Sequence, residues 1–286
     1  MTYIFINVKI YKKSEVVLTV SLKLFGKEGV CKFTAEGRNI DTVYNAEYEE
    51  GDVWHIDTAK GSFLKLSLDE TLLTSIVYLP TGALDFEIPF GYERTCCYAP
   101  SAFSGESHKV VCSVPTDDEI YSEREISLNP HARHNKHQYF PSAYANFVTN
   151  EHPSLYERNA IDGVIKNERH GVFPHHSWGG GKREDLVFEV RFGREVEISC
   201  ADIFIRADFP HDTYWEEADV EFSDGTSRHI ELLPTQDAQH FEFPAKRTEY
   251  VRLTGLKQKR TPEGELSFAA LSGIRIYGKY IKNEGV

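Results

Sequence analysis

Residues 16–25 read Val-Val-Leu-Thr-Val-Ser-Leu-Lys-Leu-Phe, and this stretch decides the fold class of the first half of the chain. From Leu18 to Leu24 every second residue is apolar, and Thr19, Ser21 and Lys23 lie between them. Successive side chains of a β-strand point to opposite faces of the sheet. The alternation therefore predicts a strand with one face in a core and the other face in solvent.

Short segments of the same kind recur along almost the whole chain, and glycine or proline residues mark the turns between them. They lie at residues 30–34, 52–57, 62–68, 75–79, 84–88, 109–114, 186–192, 196–206, 218–222, 229–233, 250–256 and 271–277. Only residues 116–125 look helical, as a short connector that begins at Thr116 or Asp117. Many short strands at this spacing predict an all-β protein with antiparallel β-sandwiches.

The length of 286 residues suits two domains. We expect an N-terminal β-sandwich over residues 1–125 and a second, jelly-roll-like β-sandwich over residues 126–286. Residues 129–181 show no clear strand pattern, yet they hold seven of the twelve histidines. Such a long irregular stretch is usually a functional loop or a linker, and here we interpret it as part domain junction and part loops on the second domain.

Composition restricts the classes of partner. Apolar residues make up 41% of the chain, which is enough for packed cores, and 32 Lys and Arg against 44 Asp and Glu give a net charge of −12. This balance argues against nucleic acid and against an anionic membrane surface as partners. The N-terminus shows no signal-peptide pattern, which predicts a cytoplasmic protein unless a leader has been removed. The oligomeric state is left open.

The cysteines and three of the histidines give no clear metal site. The five cysteines have no paired spacing, and the adjacent Cys96 and Cys97 are interpreted as buried structure. His131, His134 and His137 recur every three residues, a spacing that aligns ligands only on a helix. Proline residues on both sides make a helix unfavourable, so we interpret these histidines as part of a polar loop and predict no metal there.

Five motifs in the second half resemble those of a known family. They are Asn159-Ala-Ile-Asp-Gly163, Ser177-Trp178, Leu186-Val-Phe-Glu-Val-Arg-Phe-Gly193, Val220-Glu-Phe-Ser-Asp-Gly225 and Leu271-Ser-Gly-Ile-Arg-Ile-Tyr-Gly278. In this order they are similar to the motifs of discoidin-like domains, over roughly residues 127–280. The resemblance implies a galactose-binding-like jelly roll, a fold that commonly binds glycans. The first half resembles no family that we can name.

The resemblance also raises the question of a structural calcium near Asp162. Members of the family often carry an Asp soon after the Asp-Gly turn and a Thr two residues before the tryptophan, and both lie around the ion. Here Val164 and His176 occupy those positions. This departure argues against calcium, and we predict no other cofactor.

The first candidate binding cluster lies between Arg169 and Asp185. A tryptophan can present a flat face to the C–H surface of a sugar, and imidazole and guanidinium groups can bond to its hydroxyls. The alternative is that the tryptophan caps the sandwich core and that the histidines are ordinary loop residues. The candidate ligand-binding residues are His170, His175, His176, Trp178 and Arg183.

The second candidate cluster follows a strongly apolar segment that ends near Arg206. Loops at one end of a sandwich are a common place for binding residues, and charged and aromatic residues alternate here. The alternative is a structural ion pair between Arg206 and Asp208, with the aromatic residues at the edge of the core. If the two loops converge, they form one site. The candidates here are Arg206, Asp208, His211, Asp212 and Trp215.

Two functions follow from these clusters. The first is a carbohydrate-binding protein that recognises a glycan or small saccharide through these loops. The second is a carbohydrate-active enzyme, lyase-like or isomerase-like, in which a base removes a proton next to a carboxylate that a cation neutralises. The residues for that chemistry would be His170, His175, His211, Tyr214 and Arg206, but the sequence contains no diagnostic catalytic motif.

Overall fold

The computed structural model describes residues 18–166, 169, 171–207 and 213–282. Within them the chain is almost entirely β. The strands are β1 (Val20–Phe25), β2 (Cys31–Gly37), β3 (Asn39–Tyr44), β4 (Val53–Asp57), β5 (Ser62–Ser67), β6 (Ser75–Leu79), β7 (Ala83–Glu87), β8 (His108–Ser113), β9 (Arg124–Glu125), β10 (Ser142–Ala145), β11 (Trp178–Gly179), β12 (Phe188–Ile205), β13 (Trp215–Phe222), β14 (Ser227–Glu231), β15 (Gln239–Gln258) and β16 (Ala270–Tyr280). The α-helices are α1 (Gly91–Cys97) and α2 (Asp117–Tyr121), and the 3-10 helices are Thr149–Glu151, Pro153–Leu155 and Glu157–Ala160.

The first half is a sandwich of two four-stranded antiparallel sheets. Their strand orders are β2-β1-β4-β7 and β3-β8-β5-β6. The alternation of the opening stretch is realised in β1, whose residues are alternately buried and partly exposed. Leu22 and Trp54 from one sheet pack in the same core as Leu64 and Val110 from the other. The expectation of an N-terminal β-sandwich is therefore confirmed in its architecture.

The second half is one larger antiparallel sheet that encloses its own core. Its order is β11-β16-β12-β15-β13-β14, with β10 also on β12 and β9 also on β16. The register between β12 and β15 shifts twice, between Arg191 and Val196 and between Ile198 and Cys200. Such irregularities bend long strands, so that one continuous sheet can supply both layers of a sandwich. This is the β-sandwich that the discoidin-like motifs predict.

The two sandwiches are in direct contact at the junction. Tyr78 and Phe140 exchange backbone hydrogen bonds of 2.7 and 3.0 Å. The rings of Phe63 and Tyr280 lie 4.6 Å apart between centroids. The sheet of the second half already includes Arg124–Glu125. The domain boundary between residues 125 and 126 stays a prediction.

Two of the three regularly spaced histidines have different partners. His131 is buried against the first sandwich, where its Nε2 accepts the Leu68 N–H at 3.1 Å. The Nδ1 atom of His134 lies 2.7 Å from a Glu157 oxygen instead. They lie in turns and irregular loop, not on a helix. Cys96 and Cys97 are buried, as expected.

Among the described residues, no helix is both long enough and apolar enough to cross a lipid bilayer.

Candidate functional site

Trp178 lies in the core of the second sandwich. Its side chain has no exposed surface, and its indole N–H donates to the Phe147 carbonyl at 3.0 Å. Its ring stacks on Trp215 with centroids 5.5 Å apart, and the ring of Phe188 lies 5.0 Å away. Trp215 is also buried. In this arrangement neither indole presents a face to a ligand, and the core-capping alternative describes both.

The buried side chain of Arg206 connects the two candidate loops. It follows β12, its backbone N–H donates to the Ala270 carbonyl at 3.0 Å, and only 1% of the residue is exposed. Its guanidinium Nη1 donates to the His175 carbonyl at 3.2 Å. Together with the Trp178–Trp215 stack, this bond shows that the loops converge in their described parts. Asp208, His211, Asp212 and, in the first loop, His170 lie outside the described residues.

His176 takes part in a buried charge network. Its Nε2 lies 2.6 Å from Asp162 Oδ2, and its ring stacks on Phe173 with centroids 5.6 Å apart. The other Asp162 oxygen accepts the Val164 N–H at 2.9 Å, and Arg158 Nη1 lies 3.6 Å from Oδ2. Calcium requires several oxygen ligands, whereas nitrogen groups surround this carboxylate. The residues present do not fit a structural calcium at Asp162.

Arg183 and His175 are the more exposed members of the expected set. The guanidinium of Arg183 lies 4.9 Å from the centre of the Phe147 ring and pairs with Asp185, with 2.8 Å between Nε and Oδ1. The hydrogen bond from Arg183 holds the pKa of the Asp185 carboxyl below its usual value. His175 is half-buried. The structure therefore brings His175 and Arg206 together, and leaves Arg183 at the surface with its own partner.

A cleft of about 570 Å³ opens at the same end of the sandwich. It lies next to the buried tryptophans, because Gln258 in its wall is the register partner of Trp215 in the neighbouring strand. The lining residues are Glu184, Glu216, Gly255, Leu256, Lys257, Gln258 and Arg260. The cleft combines the end of the first candidate cluster, the start of β13 and the end of β15.

Gln258 is the unusual residue of this cleft. It is only 7% exposed, yet among the described residues neither Oε1 nor Nε2 of its amide has a hydrogen-bond partner. Buried side-chain amides are nearly always paired, because an unpaired buried polar group is costly. The sequence analysis missed Gln258. The available signal was its place two residues after Leu256, on the inward face of the strand.

Charged groups of both signs line the same cleft as Gln258. Arg260 pairs with Glu184 and also donates to the Gly264 carbonyl at 3.0 Å. Lys257 Nζ donates to Glu217 at 2.7 Å, and this bond raises the pKa of the lysine. Glu216, from the neighbouring strand β13, also lines the cleft. The arrangement offers both donors and acceptors to a ligand that carries both.

Comparisons with known proteins gave solved structures only. No protein-family model matches the sequence, and no curated protein matches it. The similar structures include chitosan-binding module 1 of a chitosanase/glucanase from Paenibacillus sp. IK-5, at 17% identity and a TM-score of 0.37, covering 55% of this chain and 100% of the module.

Two further structures are described as carbohydrate-binding modules. A fucose-binding module from Streptococcus pneumoniae has 13% identity and a TM-score of 0.38, and the match covers 56% of this chain and 99% of the module. A family 32 module of C. perfringens NanJ, solved with galactose, has 14% identity and a TM-score of 0.35, with 48% and 92% covered. All three matched structures are carbohydrate-binding modules by their descriptions, and each match covers about half of this chain.

Proposed function

We propose that this protein binds a saccharide in the cleft beside Gln258, at the loop end of its second β-sandwich. The unpaired amide of Gln258 carries the proposal. An amide has a carbonyl that accepts and an NH₂ that donates, and leaving both unpaired in a buried position costs about 1–3 kcal/mol. A ligand with neighbouring hydroxyls can pair both groups at once, since each hydroxyl donates and accepts.

The charges of the lining favour a neutral polyhydroxylated ligand over other classes. A phosphate would face the carboxylates of Glu184 and Glu216, and a purely apolar molecule would leave the Gln258 amide unpaired. Hydroxyl groups accept from Lys257 and Arg260 and donate to the carboxylates, while Leu256 adds a small apolar surface. A saccharide meets all of these requirements.

The loop residues expected from the sequence have two different roles in the proposed site. The buried ones, His176, Trp178, Arg206 and Trp215, fix the shape of the loop end. Those with exposed surface, His175 and Arg183, remain proposed contacts at the rim of the site. His170, Asp208, His211 and Asp212 belong to the same proposal but lie outside the described residues.

The test compares two identical substitutions at opposite ends of β15. After a glycan array identifies a saccharide for the full chain, calorimetry measures its Kd with wild type, Gln258→Leu and Gln239→Leu. Both glutamines are 7% exposed, but the amide of Gln239 is paired with the Leu233 backbone at 2.7 and 3.1 Å. The two variants therefore remove the same amide from a similar degree of burial.

We expect opposite effects from the two variants. Gln258→Leu should weaken binding about tenfold or more, and should keep or raise the Tm, because it replaces an unpaired polar group by an apolar one. Gln239→Leu should lower the Tm and leave the Kd unchanged, measured at a temperature where both variants are folded. The proposal fails if no glycan binds, or if Gln258→Leu binds as tightly as wild type.

Two residues of the enzymatic alternative, Arg206 and Tyr214, are buried. Arg206, the cation that would neutralise a uronate, is buried and bonded to the His175 carbonyl. Tyr214 is 8% exposed, and Lys259 Nζ lies 5.3 Å from the centre of its ring. His170 and His211 lie outside the described residues.

A further inference from the structure

A separate cluster of possible metal ligands lies in the first sandwich. Asp69, Glu70 and His108 each offer one ligand atom, and these atoms all lie within 4.8 Å of one another. Asp69 and Glu70 follow β5, and His108 begins β8. Asp69 and His108 are fully buried, whereas Glu70 is exposed and leaves a side of the cluster open to solvent.

The ring of His108 is held in one orientation. Its Nε2 lies 2.9 Å from the Gly105 carbonyl, and because a carbonyl can only accept, Nε2 carries the hydrogen. The ring packs 4.1 Å from that of Tyr48, whose hydroxyl accepts the Trp54 indole N–H at 3.0 Å. Metal-bound histidines are typically oriented in this way, by an N–H bond from the nitrogen that does not bind the metal.

The other ring nitrogen of His108, Nδ1, is not used by a hydrogen bond within the described residues. Nδ1 is buried and, among the described residues, has no hydrogen-bond partner. With Nε2 protonated, Nδ1 of the neutral ring carries a lone pair, which is the form of imidazole that binds metal ions. Hydrogen bonds explain why the carboxylate of Asp69 can be buried. They do not explain the unpaired Nδ1 of His108.

Backbone N–H groups and one hydroxyl hold the two carboxylates in place. Asp69 accepts the Phe103 N–H at 2.7 Å and, through its other oxygen, the Thr71 N–H at 2.9 Å and hydroxyl at 2.6 Å. Glu70 Oε2 accepts the Lys109 N–H at 3.1 Å. Within the described part of the chain, no salt bridge joins Asp69 or Glu70 to a lysine or arginine.

We propose that Asp69, Glu70 and His108 bind one divalent transition-metal ion of the zinc class, with solvent completing its coordination. An imidazole with two carboxylates suits zinc and its neighbours, whereas calcium and magnesium prefer oxygen ligands alone. The ion joins the turn after β5 to the start of β8. The site is independent of the saccharide cleft and of the function proposed for it.

The test titrates the full chain, after treatment with a chelator, with zinc chloride in a calorimeter. We expect one equivalent to bind and to raise the Tm, and we expect calcium and magnesium chlorides to do neither. Cobalt(II) bound at the same site should give visible absorption from d–d transitions. Glu70→Gln should weaken zinc binding at least tenfold, and it retains an oxygen that can accept the Lys109 N–H. The matched control is Glu106→Gln, an exposed residue close in sequence to His108, and it should bind zinc as wild type does.

A histidine near the surface, His55, provides one rival zinc site. His55 lies between Asp85 and Asp57, with nitrogen–oxygen distances of 2.5 and 2.7 Å. The proposal is overturned if no equivalent of zinc binds, if Glu70→Gln binds as tightly as wild type, or if His55→Gln removes the one-equivalent binding. It is also overturned if calcium or magnesium raises the Tm as much as zinc.

Discussion

His131 shows how one buried side chain links pH to stability. It has no exposed surface, its Nε2 accepts the Leu68 N–H, and its Nδ1 lies 3.3 Å from the Ser75 hydroxyl. Burial, and then the charge of Arg158, lower the pKa of His131 from 6.5 to about 3. In the unfolded chain the ring takes up a proton below pH 6.5, whereas in the folded protein it stays neutral until about pH 3.

We therefore predict that the free energy of unfolding falls as the pH is lowered from 6.5 towards 3. The contribution of neutral His131 is fully present above pH 6.5 and is lost across this window. His131→Gln should make the decrease less steep. Urea unfolding at several pH values measures the slopes. Equal slopes for wild type and His131→Gln would contradict the assignment.

Residue type alone did not separate ligand-binding residues from core residues. Trp178 and Arg206 have the chemistry of binding residues, but both are buried and hold the loop end together. Trp178 lies in a two-residue strand, which is too short to show a period. Gln258 was detectable in principle, because an amide on the inward face of an alternating strand is an exception that calls for a partner. The cluster of Asp69, Glu70 and His108 has no local motif, since the fold brings together residues distant in sequence.

At the scale of elements, the connector helix α2 has a complete capping box. The Thr116 hydroxyl accepts the Glu119 N–H at 3.2 Å, and Glu119 accepts the Thr116 N–H at 2.9 Å. Lys65 from β5 donates to the same Glu119 side chain at 2.5 Å. Mainly because of this bond to Lys65, the pKa of Glu119 falls to about 2.

Removing this cap should destabilise the protein modestly. Thr116→Ala should lower the free energy of unfolding by about 1 kcal/mol, because the Glu119 N–H loses its acceptor. Thr116→Ser, which keeps the hydroxyl, should stay within a few tenths of a kcal/mol of wild type. Urea denaturation compares the three proteins. An alanine variant as stable as wild type would show that the cap contributes nothing.

Strands and helices could be predicted where apolar and polar residues alternate with a regular period. The expected segment 62–68 corresponds to β5 at Ser62–Ser67, and the helical connector contains α2 at Asp117–Tyr121. The strand β3 at Asn39–Tyr44 and the helix α1 at Gly91–Cys97 were missed. Between residues 129 and 181 the chain forms 3-10 turns and strands of two to four residues, which are too short for any pattern.

At the scale of the whole molecule, the two sandwiches share a contact surface that the sequence could not show. Phe63 packs in the core cluster of the second sandwich, and Tyr139 packs in that of the first. Contacts between residues far apart in sequence leave no local signal. The strand β9 also lies on the C-terminal side of α2, so the position of a cut decides whether the second sheet keeps it.

We predict that a fragment starting at Pro115 folds on its own. It retains β9, and it should give a cooperative thermal transition, at a lower Tm than the full chain because it loses the Phe63–Tyr280 and Tyr78–Phe140 contacts. A fragment starting at Ser127 loses β9 and should melt lower still. Circular dichroism during heating compares them. The absence of a cooperative transition in the longer fragment, while the full chain shows one, would contradict independent folding.

The most direct test of the saccharide site is an NMR titration. It monitors the side-chain amide of Gln258. Gln258→Leu assigns the signal, and the titrant is the saccharide that the glycan array identifies. We predict that the Nε2 amide resonances shift and saturate with the same Kd as in calorimetry, because the buried amide gains its missing partners. Saturation by the saccharide that leaves the Gln258 amide unchanged and shifts residues elsewhere would contradict the site.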